Sequence, residues 1–116
     1  MNKSLATEPR WTYARACTEL EESLRPIEIW DGQLIMSPTP VFFHQVVVSR
    51  IEEAMRRWVR RHRLGIVITA PMDVVLEPSL VVQPDVLFIS KLRLDIIKSH
   101  VHGAPDLVVE VVSQDR

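Results

Sequence analysis

Two carboxylates interrupt stretches that otherwise read as the interior of a β-sheet: Asp85 in VVQPDVLFIS (81–90) and Glu110 in GAPDLVVEVVS (103–113). An ionised carboxylate in apolar surroundings is costly, so two that converge must share a proton, find arginine or lysine, or bind a cation. A hard divalent metal resolves the conflict best. Magnesium accepts one or two protein carboxylates, keeps several waters and leaves positions for a phosphate oxygen. The bland reading has Asp85 capping a turn after Pro84 and Glu110 facing solvent from a half-exposed strand. Asp106, in the second Pro-Asp pair, reads as a turn acid ahead of a strand.

The elements that must position these acids follow from local pattern. Thr12 can cap a helix whose apolar positions Ala14, Cys17, Leu20 and Leu24 recur at helical spacing until Pro26 closes it. In IEIWDGQLIM, Asp31-Gly32 suits the left-handed backbone of a tight hairpin turn, with Ile27 and Ile29 on one face and Glu28 beside Trp30 on the other. A long helix is expected from Thr39-Pro40 to an exit at Gly65, with Phe43, Val47, Ile51, Ala54, Met55 and Trp58 as its core-facing stripe. Arg50, Arg56, Arg57, Arg60, Arg61 and Arg63 lie on the other side. Several fall in the last turns, where positive charge complements the helix dipole and needs no ligand to explain it. Beyond Gly65, β-branched residues divided by Pro71, Pro78 and Pro84 read as three strands. A partly helical or looped connection over KLRLDIIKSHVHGAP then leads to a last strand holding Glu110. This order predicts an α/β (α+β) fold, a sheet with helical cover.

With 116 residues, 47% hydrophobic and 25% charged, the chain fits one domain, and no repeat or low-complexity linker divides it. Residues 1–10 read as a flexible N-terminal arm and 11–116 as a single domain. The formal net charge of -1 carries no global signature of nucleic-acid affinity. A lone cysteine, Cys17, excludes an internal disulfide and a cysteine-rich zinc cage. With no secretion signal at the start and no membrane-length apolar run, a cytoplasmic location is expected.

Taken together, IEIWDGQLIMSPTP, His44, APMDVVL, VVQPDVLFIS and GAPDLVVEVVS, in that order, resemble the Uma family of restriction endonucleases, placed in the PD-(D/E)xK nuclease superfamily. The resemblance covers residues 12 to 116 and is carried by all five blocks jointly. It implies a restriction-endonuclease-like mixed sheet flanked by helices, and metal-dependent cleavage of DNA with Mg2+ or Mn2+. Asp85 matches the first acid of the motif and Glu110 the second, both as metal ligands. Glu28 looks like an additional acid, and His44 matches a histidine that orients substrate or water. Arg57, Arg60 and Arg61 are candidate contacts to the nucleic-acid backbone. Two departures stand out. The motif's lysine belongs two residues after Glu110, where this chain has Val112, and family members continue for several tens of residues past Arg116. The chain is therefore expected to be incomplete at its C-terminus, and to pair through an exposed sheet edge into a homodimer or larger homo-oligomer. The alternative is a catalytically dead remnant serving as a nucleic-acid-binding or interaction domain.

Overall fold

A computed structural model describes residues 10–112. The expected N-terminal arm lies, save for Arg10, outside the described residues, as does the segment leading to Arg116. Helix α1 (Tyr13–Glu19) is capped by Thr12, whose hydroxyl accepts from the Arg15 N–H. A hairpin follows, β1 (Glu28–Trp30) and β2 (Gln33–Ile35), turning through Asp31 and Gly32, which both have positive φ. That is the backbone an Asp-Gly hairpin turn demands. Next come the long helix α2 (Phe42–His62) and strands β3 (Gly65–Thr69), β4 (Val74–Glu77), β5 (Leu80–Val82) and β6 (Val86–Ser90). A 3-10 segment (Lys91–Ile96), β7 (Val101–His102) and β8 (Leu107–Val109) complete the described chain.

The strands form a mixed five-stranded sheet ordered β2-β1-β5-β4-β7 and an antiparallel three-stranded sheet ordered β3-β6-β8. Among the described residues only the β4–β7 pairing is parallel. The chain passes between the sheets at Ala70–Asp73 and again at Gln83–Asp85. Each passage carries a proline, Pro71 or Pro84, which cannot donate to a ladder. Val86 packs beneath α2 with Val48, Val59 and Val67, while Leu87 and Ile89 turn the opposite way to meet Val74 and Val101 of the larger sheet. This alternation explains why the VLFIS segment is apolar on both faces. The far face of the larger sheet is covered by α1, where Ala16 joins Ile27, Ile29 and Val81.

Several expectations need correction. The residues between Gly65 and Ser90 give four strands, because Pro78-Ser79 turns β4 back onto β5. The expected first helix stops at Glu19, with a separate 3-10 turn at Glu22–Leu24; Tyr13, Ala16 and the capping Leu20 face inward, whereas Cys17 and Leu24 are exposed. In α2 the buried residues are Val48 and Val59, supported by Ile51 and Met55. Phe43 and Trp58 are 76% and 59% exposed, so the expected stripe was rotated toward the helix flank. The helix starts after Val41 with no side-chain cap, and Arg63 takes the left-handed conformation at its end. Gly65 belongs to β3 instead. A Cβ there would lie 2.1 Å from the Ile89 carbonyl oxygen, so glycine permits the close approach to β6. No helix among the described residues is long and apolar enough to cross a membrane.

Candidate active site

Asp85 and Glu110 lie just outside the strands that sequence pattern gave them: β6 begins at Val86 and β8 ends at Val109. Because β6 and β8 pair antiparallel, with Val86 opposite Val109, the residue before one and the residue after the other become neighbours. Ladder geometry alone therefore brings the two acids together. Their backbones exchange contacts with each other's carboxylates. The Asp85 N–H donates to Glu110 Oε1 at 3.3 Å, and the Val111 N–H donates to Asp85 Oδ2 at 2.7 Å.

His44, one turn into α2, turns its Nε2 to within 3.3 Å of the same Asp85 oxygen, while its Nδ1 lies 3.0 Å from Gln45 Oε1. Glu28 arrives from β1 with both oxygens occupied. Oε1 accepts from the Trp30 indole N–H at 2.8 Å and Oε2 from the Gln83 main-chain N–H at 2.7 Å. The partnership of Glu28 with Trp30 follows from their sharing one face of the strand. Glu28, His44, Asp85 and Glu110 all line one open cleft of about 870 Å³, bounded by 37–41, the start of α2 and Thr69–Pro71.

The cleft is acidic. Its lining also includes Glu52 and, among the described residues, contains no lysine or arginine, while Glu52 itself is paired with Arg56 at 2.6 Å. The Glu110 pKa is raised, first by desolvation against the cleft wall, then by the Asp85 charge and a shared side-chain hydrogen bond with Asp85, with Glu28 adding a smaller repulsion. Among the described residues no group of three or more histidine, cysteine, aspartate or glutamate side chains is placed to hold a metal ion. Asp85 and Glu110 alone match the needs of magnesium, for which one or two carboxylates suffice.

The chain belongs to the Uma2 family. The family profile, described as a putative restriction endonuclease, matches residues 12–116. Among curated proteins, none matches the chain. The Uma2 match supports a nuclease-like function in general terms.

Other expected residues lie away from the cleft. Arg60 is sixteen positions beyond His44 on α2, about 24 Å along the axis. Arg57 is within 3.7 Å of Glu53, and Arg60 and Arg61 sit in the last helical turn. Val112, in the motif's lysine position, is 89% exposed. Lys91 follows the far end of β6 from Asp85. Asp106 holds the turn ahead of β8, accepting from the Ser90 N–H at 2.7 Å and facing Arg93 at 3.2 Å. Sequence reasoning missed Gln83. Its one signal is an amide side chain inside the apolar run VVQPDV.

Proposed function

We propose that the chain is a metal-dependent endonuclease that hydrolyses DNA phosphodiester bonds, with Mg2+ or Mn2+ held by Asp85 and Glu110. The observation that carries this reading is the convergence of those two carboxylates, at the adjoining ends of β6 and β8, in a cleft lined by no lysine or arginine among the described residues. Family membership supplies the reaction class. When bound, a divalent cation polarises the scissile phosphate and acidifies a water for in-line attack. The chain's own groups fix the geometry. The Val111 N–H and His44 both engage Asp85 Oδ2, and His44 is placed to orient a water or a phosphate oxygen entering beside Asp85. Glu28, clamped by two donors, is the accessory acid on the helix-bearing side of the cleft.

Contacts by Arg57, Arg60 and Arg61 to the DNA backbone require a duplex running along α2, since about 24 Å spans about seven base steps. A homodimer or larger assembly is supported by β8, which has β6 as its one neighbour among the described residues and leaves Leu107 and Val108 exposed.

One observation favours the alternative, a catalytically dead nucleic-acid-binding or interaction domain. No lysine stands two residues after Glu110, and none among the described residues lines the cleft. Two measurements separate the readings. Calorimetric titration with Mn2+ should show one site that is lost in Asp85→Ala and in Glu110→Ala; heats unchanged by either substitution remove the metal site. Incubation with plasmid and Mn2+ should give cleavage that Asp85→Ala abolishes. Metal binding without cleavage identifies the remnant.

A further inference from the structure

From the wall of the cleft a second polar cluster extends inward, and its centre is Gln83. Both ends of its side-chain amide are engaged: Oε1 accepts from the Met72 N–H at 3.1 Å, and Nε2 donates to Asp73 Oδ1. Asp73 uses its other oxygen to accept from the Tyr13 hydroxyl at 2.7 Å, with His100 Nε2 at 3.7 Å. The Tyr13 ring in turn meets both His100 and His102 edge-on. Burial, followed by the hydrogen bond to Asp73, raises the Tyr13 pKa, so its proton stays on the phenol and the bond keeps its direction. The cluster thus ties α1, the loop before β4 and the strand β7 to one side chain.

That side chain belongs to the three-residue passage Gln83-Pro84-Asp85, which carries the chain from one sheet into the other. The Gln83 N–H holds Glu28, and the Asp85 N–H reaches Glu110. Pro84 between them is buried and has no N–H to offer a competing partner. The passage is therefore a rail with two donors, one for each flanking acid, and Asp85 itself supplies the third carboxylate. A rail sets spacing only if it is fixed, and its nearest side-chain anchor is the Gln83 amide on Met72 and Asp73.

From this juxtaposition we infer that Gln83 is a positioning residue. Anchored on Asp73, it sets the distance between Glu28 and the Asp85–Glu110 pair, its side-chain amide being committed to Met72 and Asp73. The inference rests on the nuclease reading for its catalytic consequence, but its structural part has a readout of its own. Trp30 donates its indole N–H to Glu28, so the indole resonance of Trp30, assigned by its loss in Trp30→Phe, reports where Glu28 sits. Gln83→Ala keeps the main-chain N–H and removes only the anchor. It should displace the Trp30 indole resonance, and it should lower the Mn2+-dependent cleavage rate at saturating DNA by about tenfold to a hundredfold. The DNA concentration giving half-maximal rate should stay within about twofold, because no binding contact is removed.

Gln83→Glu faces Asp73 with a second carboxylate and should behave like Gln83→Ala. Combining it with Asp73→Asn exchanges amide and carboxylate across the same contact and should restore both the resonance and the rate, which a general loss of stability would not do. An unmoved indole resonance in Gln83→Ala and in Gln83→Glu overturns the inference, as does a double variant no better than Gln83→Glu alone. If the unaltered chain cleaves no DNA, the nuclease reading fails while the resonance still decides the role of Gln83.

Discussion

At Glu110 the protein holds a carboxylate whose proton is harder to remove in the folded chain than in the unfolded one, because of desolvation and the neighbouring Asp85 charge. A pKa raised on folding contributes stability that is complete at low pH and is lost as pH rises through the folded value. The metal-free chain should therefore lose stability over that interval, and Glu110→Gln should flatten the loss. At neutral pH it should gain less than about 1 kcal/mol, since the side chain keeps one side in solvent and its repulsion is screened. Denaturant midpoints of the two proteins across pH, without metal, check this, and a midpoint lowered at neutral pH by Glu110→Gln contradicts it. Asp106 works in the opposite sense. The Ser90 N–H and then Arg93 lower its pKa, so its contribution is present at neutral pH and lost as pH falls through the folded value. The sequence showed the carboxylates but not their partners. Asp85 and Glu110 stand out because acids are rare in apolar runs. Gln83 and the Val111 N–H do not, because a main-chain donor has no sequence signature and one amide in a strand has many ordinary explanations.

For the elements, legibility followed how local the determining physics is. The Asp-Gly turn and the Thr12 cap were readable, since each depends on a few adjacent residues. The inward face of α2 was not. Its flank is nearly as apolar as its core side, so Phe43, Val47 and Trp58 competed with Val48 and Val59 on equal terms. Substitution separates the two faces. Val59→Ala should cost about 2 kcal/mol by leaving a cavity under the three-stranded sheet, whereas Val47→Ala should stay within about 0.5 kcal/mol. Equal losses at both positions would place the helix in the orientation that periodicity alone suggested. At Gly65, any side chain must displace the Ile89 carbonyl that pairs β3 with β6. Gly65→Ala should therefore cost at least about 2 kcal/mol in chemical denaturation. A loss below about 0.5 kcal/mol would show that the strands part without penalty.

Across the whole molecule, fold class and strand-rich order were evident from composition and punctuation. The division into two sheets was not, because prolines mark where a strand ends and are silent on which sheet the next one joins. The same ambiguity hid the two-residue strand β7, too short to carry any periodicity. Exposed Leu107 and Val108 on β8 lead to a prediction at this scale: the chain should self-associate in light scattering, and Val108→Lys should shift it toward the monomer by burdening the edge with charge. A monomer at high concentration in the unaltered chain would contradict that.

The crossing at Gln83–Asp85 leaves the three acids without a single scaffold. Asp85 and Glu110 share the β6–β8 ladder, but Glu28 stays beside them only while two separately paired layers stay docked through Val74, Val101, Leu87 and Ile89. Leu87→Ala, which touches no carboxylate, should cost about 3 kcal/mol and loosen Glu28 from the Asp85–Glu110 pair, displacing the Trp30 indole resonance that reports Glu28. On gentle heating, Glu28 should then part from the other two acids before the hairpin and the long helix melt, making the Trp30 signal an early thermometer of cohesion between the layers.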